Sequence, residues 1–179
     1  MLDRLVDRLR RLLAGPSVDS FPAPPLAFED GAGRSIDVRG FHEGDREALV
    51  TLYVDFDPAQ RAQGTPPIGE GPVRDWLEHV LQGPSAVAWH GDRAVGNVTF
   101  VPDGVGRYEL AIFVHQDYQR AGVGGQLIRA GLRHARSEGV EQVWLTVEPG
   151  KRRALKLYSD VGFDATNPFG MVTRMSRRL

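Results

Sequence analysis

The sequence contains no cysteine. That removes disulfides, thiolate metal ligands and any covalent mechanism through a cysteine of this chain. It also lacks an apolar run near the ~20 residues that cross a bilayer, so no membrane span is expected. With a net charge of -1 over 179 residues, it has no excess of one sign, so it lacks the basic field that holds nucleic acid. Five histidines are scattered without spaced carboxylate partners, and no metal is expected. At 41% hydrophobic and 25% charged residues, what remains reads as one ordinary globular domain.

The start, MLDRLVDRLRRLLAG, sets Leu2, Leu5, Val6, Leu9, Leu12 and Leu13 at helical spacing among alternating charges. Those charges exclude a signal-peptide core, and Asp3 and Asp7 argue against a transit peptide, which makes a cytoplasmic location the default. Residues 1–14 are expected to form an amphipathic helix that docks on its own domain or on a second copy, as a homodimer. Residues 15–34, rich in Pro and Gly, read as a linker, and residues 35–179 as the domain.

Within that domain SIDVRGF reads as a strand and GDREALVTLYVDF as a helix capped by Asp45. The irregular stretch DPAQRAQGTPPIGEGP has the length of a functional lid, and VRDWLEHVL is a short helix. SAVAWH and AVGNVTFV flank a Gly-Asp turn, PDGVG makes a second turn, and YELAIFVH is a central strand apolar on both faces. A helix from Gly122 to Gly139, the strand QVWLTV, a short helix ended by Gly162 and a last strand at MVTRM complete an α+β mixed sheet flanked by helices.

Residues 114–128, VHQDYQRAGVGGQLI, run from a strand through a glycine turn into a helix. The first N–H groups of such a helix have no internal partners and its dipole is positive there, so the turn suits phosphate. Gly122 and Gly124 let oxygen atoms reach the main chain. A P-loop is excluded, because Gly125 and Gln126 stand where Lys and Ser/Thr are required. A dinucleotide fingerprint departs at its third position, Leu127, although Glu148 sits where a ribose-binding acid belongs, and NAD binding stays as an alternative.

Gln119-Arg120-Ala121-Gly122-Val123-Gly124 resembles the [QR]-x-x-G-x-[GA] acetyl-CoA motif of the GNAT superfamily of N-acetyltransferases. ALKLYSDVGF is similar to that superfamily's later A-x-x-L-Y-x-x-x-G-F segment, and AVGNVTF to its V-G strand. ELAIFVHQDYQRAGVG further resembles the acetyltransferase domain of bacterial protein-lysine acetyltransferases.

The resemblance implies the GNAT fold and transfer of acetyl from acetyl-CoA to a primary amine, a protein lysine ahead of a small molecule. It places Phe113, Val114 and the main chain from Gln119 through Arg120, Ala121, Gly122, Val123 and Gly124 to Gly125 around the pantetheine and pyrophosphate. Arg120 adds a charge-assisted contact to phosphate. Lys151 stands where family members often carry a cofactor-binding asparagine, and is carried over to the cofactor side with that substitution. The resemblance makes Glu109 the general base, acting directly or through water, and Tyr158 the hydroxyl that meets the departing sulfur.

A base is needed because a lysine-like amine, with a pKa near 10.4, is neutral in only about one molecule per few thousand at pH 7. His115 shares the face of Glu109 but sits beside the expected pyrophosphate, so it reads as a surface or cofactor contact. His42, His79, His90 and His134 lie in no constellation. Asp55, Asp57 and Glu70 flank the long loop, where they read as solvated loop charge or, at an acceptor entrance, as acids that attract a cationic amine. An acyl-CoA-binding module without transfer chemistry is the reading from another class.

Overall fold

A computed structural model describes residues 15–61, 64–148, 150–167 and 172–179. The expected helix at residues 1–14 lies outside the described residues. The strands are β1 (Leu26–Glu29), β2 (Ser35–Gly40), β3 (Ser85–His90), β4 (Arg93–Pro102), β5 (Tyr108–Val114), β6 (Gln142–Val147), β7 (Asp164–Asn167) and β8 (Thr173–Arg178). They form one sheet in the order β1-β2-β3-β4-β5-β6-β8-β7, and only β5 and β6 pair in parallel. The mixed α+β sheet expected from the sequence is therefore what forms, with α1 (Arg46–Val54), α2 (Glu70–Val80), α3 (Val123–Ser137) and α4 (Arg152–Asp160) against it.

Each face of the sheet carries its own core. On one, Leu127, Ile128 and Leu132 of α3 bury against Val98 and Phe100 of β4. On the other, Leu49 and Tyr53 of α1 and Leu77 of α2 bury with Val87 of β3. Strand β5 serves both: Glu109, Ala111 and Phe113 alternate with Leu110, Ile112 and Val114. As expected, α4 ends at Gly162, which has φ +82°, and the Phe163 N–H then closes on the Tyr158 carbonyl at 3.0 Å.

Two strands were not expected. β1 lies inside the stretch assigned as linker, where its short alternation, LAFE, is hidden among prolines and glycines. β7, DATN, is exposed along its whole length and so has no apolar signature.

The β1–β2 turn also has a function in the fold. Asp30 accepts from the N–H groups of Ala32 and Arg34 and from Arg34 Nε. Chiefly through that side-chain bond, Arg34 holds the Asp30 carboxyl below the usual carboxylate range, against the upward push of burial. The fixed turn then reaches the glycine motif: the Gly31 N–H donates to the Ala121 carbonyl at 2.8 Å, and Arg34 Nη1 to the Asp117 carbonyl at 2.9 Å.

Close approach of α3 to the sheet depends on Gly131, where an added Cβ would fall 2.5 Å from the Cγ1 of fully buried Val98. Gly131→Ala is therefore expected to destabilise the fold by about 1–3 kcal/mol despite the better helix propensity of alanine. Denaturant unfolding checks this, and adding Val98→Ala should recover most of the loss.

Candidate active site

Strand β5 pairs with β6 only at Tyr108↔Val143 and Glu109↔Trp144, after which the two strands part. On its other side β5 stays on β4, where the His115 N–H donates to the Val95 carbonyl at 2.9 Å and Phe113 stands opposite Asn97. Hydrogen-bonded pairs alternate along an antiparallel ladder, so Phe113 and Ala111 spend their main-chain groups on β4. Those of Ile112 and Val114 point into the gap left by β6. The Val114 carbonyl accepts from Gln119 Nε2 at 2.9 Å.

Two cavities meet in that gap. One, of about 540 Å³, is lined by Ile112, Val114, Gln119, Arg120, Gly124, Arg153, Leu157 and Tyr158, with Gln60 from the long loop. The other, of about 240 Å³, is lined by Glu109, Ala111, Phe113, Thr146 and Tyr158, with Thr65 from the same loop. Ile112 and Tyr158 border both. A larger cavity, of about 650 Å³, lies over the outer strands at Asp37 and Trp89 and touches none of these residues.

At the mouth of the first cavity α3 begins. Gly122, its N-cap, adopts φ +88°, a left-handed conformation that glycine takes without a steric penalty, and the space beside its Cα is open. The Gln126 N–H makes the first helical bond, to the Gly122 carbonyl at 3.2 Å. Val123, Gly124 and Gly125 precede it, so their N–H groups are the unsatisfied donors of the helix start. Arg120 holds φ +60°, a conformation that costs a residue with a side chain about 1 kcal/mol or more and turns the chain into this anion-binding geometry. A diphosphate fits here, and the cavity between Val114 and Leu157 has room for the arm behind it.

Glu109 is half-buried, and burial pushes its carboxyl up from the ordinary value. Arg174 opposes that shift by its charge, and Asp103 adds to it. Trp144, opposite Glu109 in the sheet, holds the flanking pair: its Nε1 donates to Asp103 at 3.2 Å and the Arg174 guanidinium stacks on its ring at 4.0 Å. Burial likewise pushes the Tyr158 hydroxyl up to about 12, so it stays a proton donor at neutral pH. Its ring packs edge-on against Phe163, 6.0 Å away.

Residues 46–163 match the Acetyltransferase (GNAT) family. The chain belongs to this family. It is 32% identical over 170 residues to a mycothiol acetyltransferase of Geodermatophilus obscurus, an alignment covering 89% of this chain and 52% of that protein. A mycothiol acetyltransferase of Saccharopolyspora erythraea is 42% identical over 62 residues, 35% of this chain and 20% of that protein. The chain thus spans about half the length, or less, of these curated relatives.

Among solved structures, the GNAT domain of S. lividans PAT superposes with a TM-score of 0.73 at 21% identity, covering 89% of this chain and 100% of that one. The yncA acetyltransferase of Salmonella typhimurium, solved with acetyl-CoA, gives 0.64 at 20% identity, covering 80% of this chain and 94% of that one. Both share the fold. Acetyl-CoA is the acyl donor of GNAT acetyltransferases, and the open helix start and adjoining cavity of this GNAT domain fit it.

Several expected site residues converge. Val114, Gln119, Arg120 and Gly124 line the cavity of about 540 Å³, and Gly122, Val123 and Gly125 form the turn and helix start. Ala121 shapes the same turn, but its carbonyl is held by Gly31. Phe113 stands apart from these. Its ring packs edge-on with Tyr53, Phe56 and Trp76, and it lines the Glu109 cavity instead of the cofactor side. Ile112 is the residue missed in its place; its one-position offset from Phe113 sends its main chain into the gap. Lys151 also stands apart. It is exposed at the start of α4 and lines neither cavity, whereas Arg153 lines the larger one.

The loop acids lie apart from both cavities. Asp55 is engaged by Arg93 and His115, Asp57 accepts from the Ala59 N–H, and Glu70 pairs with Arg74. None of them lines either cavity; Gln60 and Thr65 do. His115 is no surface histidine, being only 1% exposed. Among the described residues no group of three or more His, Asp or Glu is placed to hold a metal ion, and no helix is long and apolar enough to cross a membrane.

Gly124 tests the cofactor side. A Cβ there meets only Val114 Cγ2 at an ordinary 3.6 Å, and the γ-methyls of valine would project toward the cavity that Gly124 lines. Gly124→Val is expected to raise the KM for acetyl-CoA on the order of tenfold or more while leaving stability near wild type, since valine forms helix no worse than glycine. Acetyl-CoA titration and thermal unfolding check the two halves.

Proposed function

We propose that this GNAT domain moves an acetyl group from acetyl-CoA to a primary amine by direct attack within a ternary complex. The observation that carries the reading is that Glu109 and Tyr158 border one cavity, and that Tyr158 with Ile112 also borders the cofactor cavity. A carboxyl with a raised pKa and a hydroxyl held protonated thus face the point where the two cavities join.

Glu109 accepts the proton of the acceptor ammonium, directly or through a water, and its raised proton affinity narrows the gap to an amine pKa near 10.4. Tyr158 donates a hydrogen bond to the departing sulfur. A thiol of pKa near 8.5 leaves readily as its thiolate, so this contribution is the smaller of the two. The Ile112 and Val114 main-chain groups align the pantetheine amides in the manner of an added strand, and the start of α3 holds the diphosphate. With no cysteine in the chain, an acetyl-cysteine step on it is excluded.

For the acceptor, the relative at 32% identity is named for mycothiol, a small molecule. The second cavity, about 240 Å³, also suits a small amine. Both support a small-molecule amine ahead of the protein lysine suggested by the sequence motif, and a lysine peptide is the second reading. Thiol release from acetyl-CoA over small amines and lysine peptides ranks them. Tight acetyl-CoA binding without turnover on any acceptor would leave the binding-module reading in place.

Glu109→Gln is expected to lower kcat by ~10²–10⁴ and Tyr158→Phe by less. Stability separates chemistry from packing. A carboxyl whose folded pKa is raised contributes stability below its unfolded value and loses it as pH rises through the folded one. The Gln variant makes no such loss, so at neutral pH its Tm should equal or exceed wild type while activity falls. A parallel fall in Tm and kcat would instead make Glu109 a structural carboxylate.

A further inference from the structure

The mechanism leaves His115 and its neighbours unused, although they form a dense polar cluster beside the glycine motif. Within it the Asp117 N–H donates to His115 Nδ1 at 3.2 Å, which leaves the ring proton on Nε2. That Nε2 lies 3.0 Å from Asp55 Oδ2, 2.9 Å from Arg93 Nη2 and 3.0 Å from Gln116 Nε2, and of these three only the Asp55 carboxylate can accept its proton. Arg93 Nη2 reaches the same oxygen at 3.1 Å. Gln116 donates through Nε2 to the Asp55 carbonyl at 2.7 Å and accepts through Oε1 from the Asp57 N–H at 3.0 Å.

Three side chains from two separate parts of the sheet thus converge on the first residues of the loop after α1. The same loop supplies Gln60 to the cofactor cavity and Thr65 to the smaller one. Its start is fastened immediately before the Gln119–Gly124 motif.

We propose that Gln116 and His115, acting through Asp55 and Asp57, are positioning residues that set where this loop lies and thereby the affinity for the amine. The proposal rests on the smaller cavity being the acceptor site. Neither residue touches reacting atoms. Gln116 is the specific probe, because Gln116→Leu keeps the volume and removes both of its bonds to the loop. Asp55→Asn keeps an acceptor for the His115 Nε2 proton, whereas Asp55→Ala does not.

The test uses the full chain. Gln116→Leu and Asp55→Ala are expected to raise the KM of the best amine in the panel about tenfold. Their kcat and the acetyl-CoA Kd from calorimetry should stay within about twofold, and Asp55→Asn should behave as wild type. Amide hydrogen exchange should quicken at residues 58–61 and 64–69 in Gln116→Leu and stay unchanged in β4 and β5. An equal weakening of acetyl-CoA binding would overturn the proposal, since the cluster would then serve the cofactor turn. So would unchanged loop exchange. Failure of the wild type to acetylate any amine sinks the functional reading, and the exchange measurement still decides whether the tether exists.

Discussion

The early parting of β5 from β6 is the constraint on which the rest of the site depends. A strand edge left unpaired inside a protein costs free energy for each orphaned N–H and C=O. Here the parting is enforced from both sides. β6 is held along its whole length by β8, while the chain after β5 passes through a 3-10 turn, Gln116–Tyr118, and the glycine motif into α3, whose Gly124 lies against Val114. Leu157 and Tyr158 of α4 line the resulting space. The cost is limited because Gln119 caps the Val114 carbonyl and the remaining groups face a cavity open to water or ligand. An arm carrying amides can then complete a ladder that the fold itself leaves unfinished.

Glycine motif and hairpin form one mechanical unit. The left-handed Arg120 and Gly122 hold the turn open for an anion, and such strained positions persist only when their surroundings over-determine them. The β1–β2 turn provides that restraint by binding the carbonyls of Asp117 and Ala121, with Asp30 and Arg34 fixing its shape. A segment that composition marks as a linker thereby supports the main chain of the glycine turn.

What the sequence made legible follows from local signals. The turn at Gly122, the periodicity of α3, the glycine stop at Gly162 and the strands on either side of the Gly91–Asp92 turn are all visible within a few residues of chain. That Glu109, Tyr158 and Gln119 lie around one gap in the sheet was legible because each sits at a fixed offset from such a signal. The misses share a different cause. Which of Phe113 and Ile112 turns its main chain into the gap is set by the hydrogen-bond phase of the ladder, which is fixed by pairing with β4 and leaves no trace in the hydropathy of YELAIFV. β1 and β7 are edge strands, recognisable only by the partner they lie on. Asp55 and Glu70 looked like free loop charge because Arg93 and Arg74, their partners, come from elements whose placement is tertiary.

That last point bears on the chemistry. Unpaired acids at the mouth of the site would draw a cationic amine closer, but they would also stabilise its ammonium form. Each unit by which they raised the amine pKa would cost about 1.4 kcal/mol of the neutral nucleophile. Asp55, bound to Arg93 and His115, and Glu70, bound to Arg74, present compensated charge instead. The half-buried Glu109 is then left as the carboxylate that lines the smaller cavity. In the proposed reaction, attraction of the cation and removal of its proton fall to a single group. On the same proposal, selection among amines falls to contacts inside the cavity and to the position of the tethered loop, without long-range steering from Asp55 and Glu70.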